Sequence, residues 1–260
     1  RLPPGHLPGG KIAHHRTHYL TTNVATVRDY VPGDSYNRIH WRSTARTGRL
    51  MVKEFELDPT SDVWILLDLD ATWHVSQPWE EPDLTDIPSI LQSQFLRKEP
   101  SLVPSTIEYA TAAAASIAQR YLAERRAVGL IAYTPRREVL HLDRGHRQFT
   151  KLLEMLAVVE PTSTISFDRL LLAERPYLTR TSTVVVITPS ADASWVDVLR
   201  DYRHGGIGMT TVLVAASTFG PIQSYRPVLA ELWASQIPTY VVRRGARIST
   251  ALSHIALPND

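Results

Sequence analysis

The chain has 260 residues, 43% of them hydrophobic, with a formal net charge of +2. That is apolar material for one large core, or a core plus a small appendage, and a charge too close to balance for a dedicated polyanion binder. With no cysteine, disulfide frameworks, thiolate metal sites and cysteine nucleophiles are excluded.

From Arg1 to about Pro59 the sequence reads as an irregular segment followed by a small β-rich appendage. Because the chain opens on Arg1 and not on methionine, a fragment or processed product is expected. Pro3, Pro4 and Pro8 mark an opening unsuited to packing, and His14, His15 and His18 read as a solvated cluster without an acidic partner. Pro32-Gly33-Asp34 is a turn signal, and Thr47-Gly48-Arg49 a second one, leading into Leu50–Phe55, which alternates like a strand. Arg28, Arg38, Arg42, Arg46, Arg49 and Lys53 make this zone locally basic, interleaved with Tyr36 and Trp41. Pairing of these cations with Asp29, Asp34, Glu54 and Glu56, bracing the appendage, is the expected use.

From residue 60 to 260 the rhythm changes to alternating strands and helices. Val63–Asp68 is a continuous apolar run ending in acid, as in a strand buried on both faces. Residues 73–104 carry many prolines and polar groups and read as an inserted loop, either flanking the upper face of the sheet or running free at the surface. Ser105–Arg126 is a helix with a capping box of Ser105 and Glu108. Strands are expected at Ala127–Tyr133, with a hairpin partner at Glu138–Leu142, and then at Thr183–Thr188, Thr210–Ala215 and Pro238–Arg243. Helices are expected at Gln148–Val159, Ser166–Glu174, Ser194–Arg203 and Tyr225–Ser235, with Gly205–Gly208 as a helix-to-strand turn. The alternation implies a Rossmann-like α/β fold, doubly wound around a mostly parallel sheet. No apolar run approaches the roughly 20 residues that cross a bilayer, and no segment reads as a signal peptide.

Ligands of such sheets bind beyond the carboxyl ends of the strands. Asp68, Asp70 and Thr72 stand there at alternate positions, two carboxylates and a hydroxyl suited to a hard cation. The same residue types also cap backbone amides at strand-to-loop turns.

Val27–Glu56, with its R-x-Y-x-P-G-D, I-H-W and A-R-T-G-R-L cores, resembles the signature of the domain of unknown function 58 family, a bacterial relative of von Willebrand factor A domains. The resemblance extends to about Val242 through Arg125–Tyr133, His146–Ala157 and the strand at Thr183. It implies a von Willebrand A-type sheet behind the β-rich appendage, working as a non-enzymatic adaptor or assembly module. The implied partner is a protein, of which a MoxR-type AAA+ ATPase is one, and nucleic acid is not implied. Also implied is an upstream membrane anchor, which would place this domain on the cytoplasmic face of the bacterial inner membrane. Against the family's adhesion-type metal motif, Asp68 matches the first position, while Asp70 and Thr72 stand where serines would. The third-loop threonine is Thr162 or Thr164, and after Thr188-Pro189-Ser190 the expected aspartate is only approached by the displaced Asp192. The implied site is degenerate, with magnesium or manganese as its cation. Within the signature, Arg28, Asp34, Arg38, Trp41 and Arg46 are assigned to interaction.

A second reading comes from a different class. An apolar strand ending D-x-D-x-T also resembles motif I of haloacid dehalogenase-type phosphohydrolases, making Asp68 the nucleophile and Asp70 the acid/base beside magnesium. It lacks its distant partners, since Lys151 is the last lysine and the later strands end at Ala215-Ala216-Ser217 and Arg243-Arg244.

Overall fold

A computed structural model describes residues 24–31, 39–55, 62–79 and 102–256. The chain divides into two compact units, one spanning Pro8–Ser61 and the other holding Asp62–Asp260.

In the first unit, β1 (Val24–Asp29) pairs antiparallel with β2 (Met51–Phe55), Arg28 opposite Val52 and Asp29 opposite Met51. Between them lies α1 (Trp41–Thr47), a helix where the turn-and-strand reading had none. Its limits are set by local hydrogen bonds. The Ser43 amide donates to His40 Nδ1 at 3.2 Å, capping the amino end. Gly48 closes the other end at φ 68°, with its amide on the Thr44 carbonyl. The turn expected at Thr47-Gly48-Arg49 is therefore a left-handed helix cap, which glycine adopts without a Cβ penalty. The Pro32-Gly33-Asp34 turn and the histidine cluster lie outside the described residues.

The second unit is built on six strands: β3 (Val63–Leu67), β4 (Val128–Tyr133), β5 (Arg137–Asp143), β6 (Thr183–Thr188), β7 (Gly208–Val214) and β8 (Thr239–Val242). Their order is β5-β4-β3-β6-β7-β8, all parallel except β5, which runs antiparallel at one edge. Winding out from β3 through β4 and β5, then returning to β6 on its other side, is the von Willebrand A-type, doubly wound arrangement. β3 and its neighbours are buried on both faces, hence their unbroken Val, Ile and Leu runs.

Among the described residues the helices of this unit are α2 (Thr106–Ala123), α3 (His146–Val158), α4 (Phe167–Glu174), α5 (Ser194–His204), α6 (Arg226–Ala234) and the short α7 (Ile248–Ala251), which is absent from the expected elements. On one face Ile65, Leu67, Leu130, Val185 and Val212 pack with α2 and α3. There Ala110, Ala113, Ala114 and Ala118 are fully buried, and their small side chains let α2 lie close to the sheet. On the other face Leu66, Val184, Val186 and Leu213 meet Phe167, Trp195 and Tyr202 of α4 and α5. Phe167 and Trp195 meet edge to face, with ring centroids 5.8 Å apart.

Ser105 occupies the N-cap position of α2 but makes no side-chain cap, so the capping box does not form. Its backbone is instead held in an isolated antiparallel bridge with Ser76, and the Thr106 hydroxyl one residue on serves the loop, accepting from the Val75 amide at 2.9 Å. Of the inserted loop, residues 73–79 and 102–104 are described and the rest is outside the described residues.

Candidate functional site

The chain winds in opposite directions from β3 and β6, so the gap between their carboxyl ends is the switch point of the sheet. Asp68 leaves β3 with its amide on the Ile187 carbonyl. Its side chain turns into the gap and is buried. Oδ1 accepts the Asp70 amide at 3.0 Å, and Oδ2 accepts the Thr188 hydroxyl at 2.5 Å. The Thr188 hydroxyl in turn accepts the Ser190 amide at 2.9 Å. Asp70, also buried, repeats the turn one step outward, its Oδ1 accepting the Thr72 amide at 3.0 Å. Thr72 reaches solvent.

The loop between α3 and α4 closes the site from the other side. Ser163 pairs with the Asp70 region through the backbone, its amide on the Leu69 carbonyl at 3.1 Å and its carbonyl accepting the Ala71 amide at 3.0 Å. Neither Thr162 nor Thr164 makes that contact; the residue between them does. Asp192 lies beyond the network and is taken up at the start of α5, accepting the Ser194 amide at 3.1 Å and its hydroxyl at 2.8 Å.

His74 sits beneath the turn. Its Nε2 is 3.0 Å from the Asp68 carbonyl, which can only accept, so Nε2 carries the hydrogen. Nδ1 faces the Thr106 hydroxyl at 3.1 Å. Burial pushes the His74 imidazole down to about 4, against the hydrogen bond to Asp68 and the charge of Asp70. Burial likewise raises the Asp68 carboxyl to about 7, aided by the neighbouring Asp70 charge, and the hydrogen bonds from Thr188 and the Asp70 amide only partly offset this. Burial thus opposes ionisation of Asp68, which is held as a fully hydrogen-bonded carboxyl in the strand gap.

This donor set does not fit a tight divalent site. A hard cation asks for several free oxygens, preferably charged. Both oxygens of Asp68 are taken, Asp70 has one engaged, and hydroxyls of Thr188 and Ser190 stand where a further acid would be needed. Among the described residues no group of three or more His, Asp and Glu gathers as a metal site. Sequence reading found Asp68, Asp70 and Thr72 but missed His74, Ser163 and Thr188. Of these only Thr188 carried a signal, as the hydroxyl residue ending a buried strand.

The residues assigned to interaction lie in the first unit. Arg28 is in β1, and Asp34 and Arg38 are outside the described residues. Trp41, 67% exposed, and Arg46 lie on α1. Of the groups expected to pair there, the side chains of Arg28, Arg38, Lys53, Asp34, Glu54 and Glu56 lie outside the described residues. Arg42, Arg46 and Arg49 are exposed and, among the described residues, their guanidinium groups have no ion pair or hydrogen bond. Arg42 and Arg46 lie on the seven-residue helix α1 and face outward from it.

The family model described as "Protein of unknown function DUF58" matches residues 26–79, a stretch holding both α1 and the Asp68–Thr72 turn. The resemblance read from Val27–Glu56 is thereby borne out. The chain is similar to the "Uncharacterized protein YeaD" of Bacillus subtilis (strain 168), 22% identical over 228 residues covering 87% of this chain and 48% of that protein. It thus spans about half the length of that relative. Among solved structures it is similar to the conserved hypothetical protein BatB from Bacteroides thetaiotaomicron, at 16% identity and a TM-score of 0.38 over 60% of this chain and 67% of that one. It is also similar to an aerotolerance-related membrane protein from Bacteroides fragilis NCTC 9343 carrying multiple mutations to serines. There the identity is 13% and the TM-score 0.46, over 75% of this chain and 96% of that one.

Proposed function

We propose that this chain, which carries the DUF58 segment over residues 26–79, is a non-enzymatic protein-interaction or assembly module. In this reading it belongs to a membrane-anchored protein and meets a protein partner, for which a MoxR-type AAA+ ATPase is a candidate. Among the described residues no helix is long and apolar enough to cross a membrane, so an anchor would lie elsewhere in the protein.

The observation that carries the reading is the closed network around Asp68. A hydrolytic nucleophile needs a charged oxygen with room for the substrate. Asp68 has both oxygens engaged and is buried in the strand gap, with its ionisation pushed up to about 7. Asp68, Asp70 and Thr72 then form a degenerate adhesion-type site that braces the turn and binds magnesium or manganese weakly at most. The phosphohydrolase reading gains no supporting observation, since β7 and β8 run into Ala215-Ala216-Ser217 and Arg243-Arg244, without the lysine or the second acidic pair.

The test is capture of the tagged full-length protein from its source cell after crosslinking, followed by identification of what is bound. A reproducible protein partner, retained by the Asp68→Asn variant, is the expected result. Magnesium-dependent hydrolysis of p-nitrophenyl phosphate that Asp68→Asn abolishes would overturn the reading.

A further inference from the structure

We infer that the exposed face of α1 docks an acidic segment of a protein partner, its carboxylates on Arg42 and Arg46 and an apolar side chain on Trp41. This deepens the interaction reading and rests on it.

The face is defined by helix geometry. At about 100° per residue, Trp41, Ala45, Arg42 and Arg46 fall within an arc of about 140°. The rest of the helix surface is used internally. Ser43 Oγ is 2.7 Å from His40 Nδ1, Thr44 Oγ1 accepts the Met51 amide at 3.0 Å, and Thr47 Oγ1 donates to the Ser43 carbonyl at 2.9 Å. One side of α1 is therefore tied to its own turn. The other presents an indole and two guanidinium groups that nothing in the described structure uses.

Some exposed arginines of the second unit are tied into it, while others, such as Arg136 and Arg147, are as free as those of α1. Arg137, Arg200, Arg203 and Arg244 each donate to a carboxylate, amide or carbonyl of the second unit. Those of α1 are left free, and Ser35–Lys53 holds four arginines and one lysine with no Asp or Glu to neutralise them.

The chemistry selects the partner. Guanidinium forks bind carboxylates in pairs of parallel hydrogen bonds, and Trp and Arg are among the residue types enriched at the energetic centres of protein interfaces. Arg42 and Arg46 are one turn apart, roughly 6 Å between Cβ atoms, matching acidic residues at adjacent turns of a partner helix. A lipid surface fits less well, because membrane-lying helices need a broad apolar face and here it is one indole and one methyl wide. Nucleic acid would need cations tracking across the domain, whereas the chain as a whole carries only +2.

The experiment measures fluorescence anisotropy of a fluorescein-labelled peptide of three Glu-Glu-Leu-Glu units against the whole chain. A Lys-for-Glu peptide, phosphatidylglycerol vesicles and a duplex oligonucleotide serve as the other arms. Saturable binding of the acidic peptide is expected, weakened at least about tenfold in Arg42→Glu/Arg46→Glu and several-fold in Trp41→Ala. Arg136→Glu, in the exposed β4–β5 turn, should change nothing. All variants should keep the wild-type melting temperature, because these side chains hold nothing together. The inference is overturned if the wild type ignores the acidic peptide, if the charge-reversed variant binds it equally, or if vesicles or duplex bind in its place. Partner capture from the cell that survives Arg42→Glu/Arg46→Glu would overturn this docking surface while leaving the interaction reading intact.

Discussion

Thr188 Oγ1 donates to Asp68 Oδ2 across 2.5 Å, joining the ends of two adjacent parallel strands whose residues are 120 positions apart in the chain. The Ser190 amide completes the bond from the other side of the same hydroxyl. Thr188→Val keeps the shape and removes both interactions, leaving a buried oxygen and a buried amide unpaired. A loss of about 1–3 kcal/mol is expected in chemical denaturation, with Thr188→Ser close to wild type. Equal stability of Thr188→Val and wild type would show that the hydroxyl does not hold the strand ends.

The pH dependence follows from two buried groups shifted in opposite directions. Asp68 goes from 3.8 up to about 7, so between these values the folded protein holds a proton the unfolded chain has lost, and stability falls as pH rises. His74 goes from 6.5 down to about 4, so in that window the unfolded chain binds the extra proton and stability falls as pH drops. Each slope is at most about 1.4 kcal/mol per pH unit, and between about pH 4.5 and 6 the two oppose one another. Asp68→Asn keeps an uncharged group of the same shape and removes one of the slopes. That variant should exceed wild type at pH 6, lose stability on acidification toward pH 4.5 through the remaining His74 slope, and approach wild type there. A flat profile for it, measured by urea melts across this range, would contradict the assignment.

A second buried acid holds the edge of the sheet. Glu174 is fully buried and accepts Arg137 Nε at 2.6 Å, Arg137 NH2 at 2.8 Å and the Tyr133 hydroxyl at 2.7 Å. Burial pushes the Glu174 carboxyl up, but hydrogen bonds from Arg137 and Tyr133 outweigh it and hold it below the usual range. Arg137→Ala strands that carboxylate, and a loss of about 2–4 kcal/mol is expected, tempered because the Arg137 side chain is 40% exposed. Arg137→Met combined with Glu174→Gln should recover much of it. Since the folded value is depressed, the stabilisation is present above the ordinary carboxyl range and lost as pH falls through the lower value, an acid-side slope that Glu174→Gln should abolish.

Gly129 in β4 lies against Trp64 of β3. A Cβ there would stand 2.5 Å from Trp64 Cζ3 and 3.0 Å from the Leu140 carbonyl oxygen. Gly129→Ala should cost about 1–3 kcal/mol, and Trp64→Leu in the same chain should relieve part of the crowding. Thermal melts of the single and double variants decide this.

Reading from sequence worked where the signal is repeated along the chain. The buried strands at Val63, Thr183 and Thr210, and the helices at Gln148, Ser166, Ser194 and Tyr225, are present within a few residues. It failed where one contact decides the outcome. α1 was missed because a His40 cap and a left-handed Gly48 fix seven residues that otherwise resemble a polar turn. The capping box at Ser105 was over-read because the bridge to Ser76 sets its backbone direction instead.

By itself, the sequence determined the alternation of elements, the family segment and the Asp68-x-Asp70-x-Thr72 turn, since these depend on spacing within a few residues. Only the tertiary structure decided what the turn is for. Whether Asp68 is a charged ligand or a hydrogen-bonded brace depends on Thr188, His74 and their burial. The freedom of Arg42 and Arg46 likewise follows from the direction in which α1 points them. Burial and direction are properties of groups brought together across the fold, and spacing along the chain does not encode them.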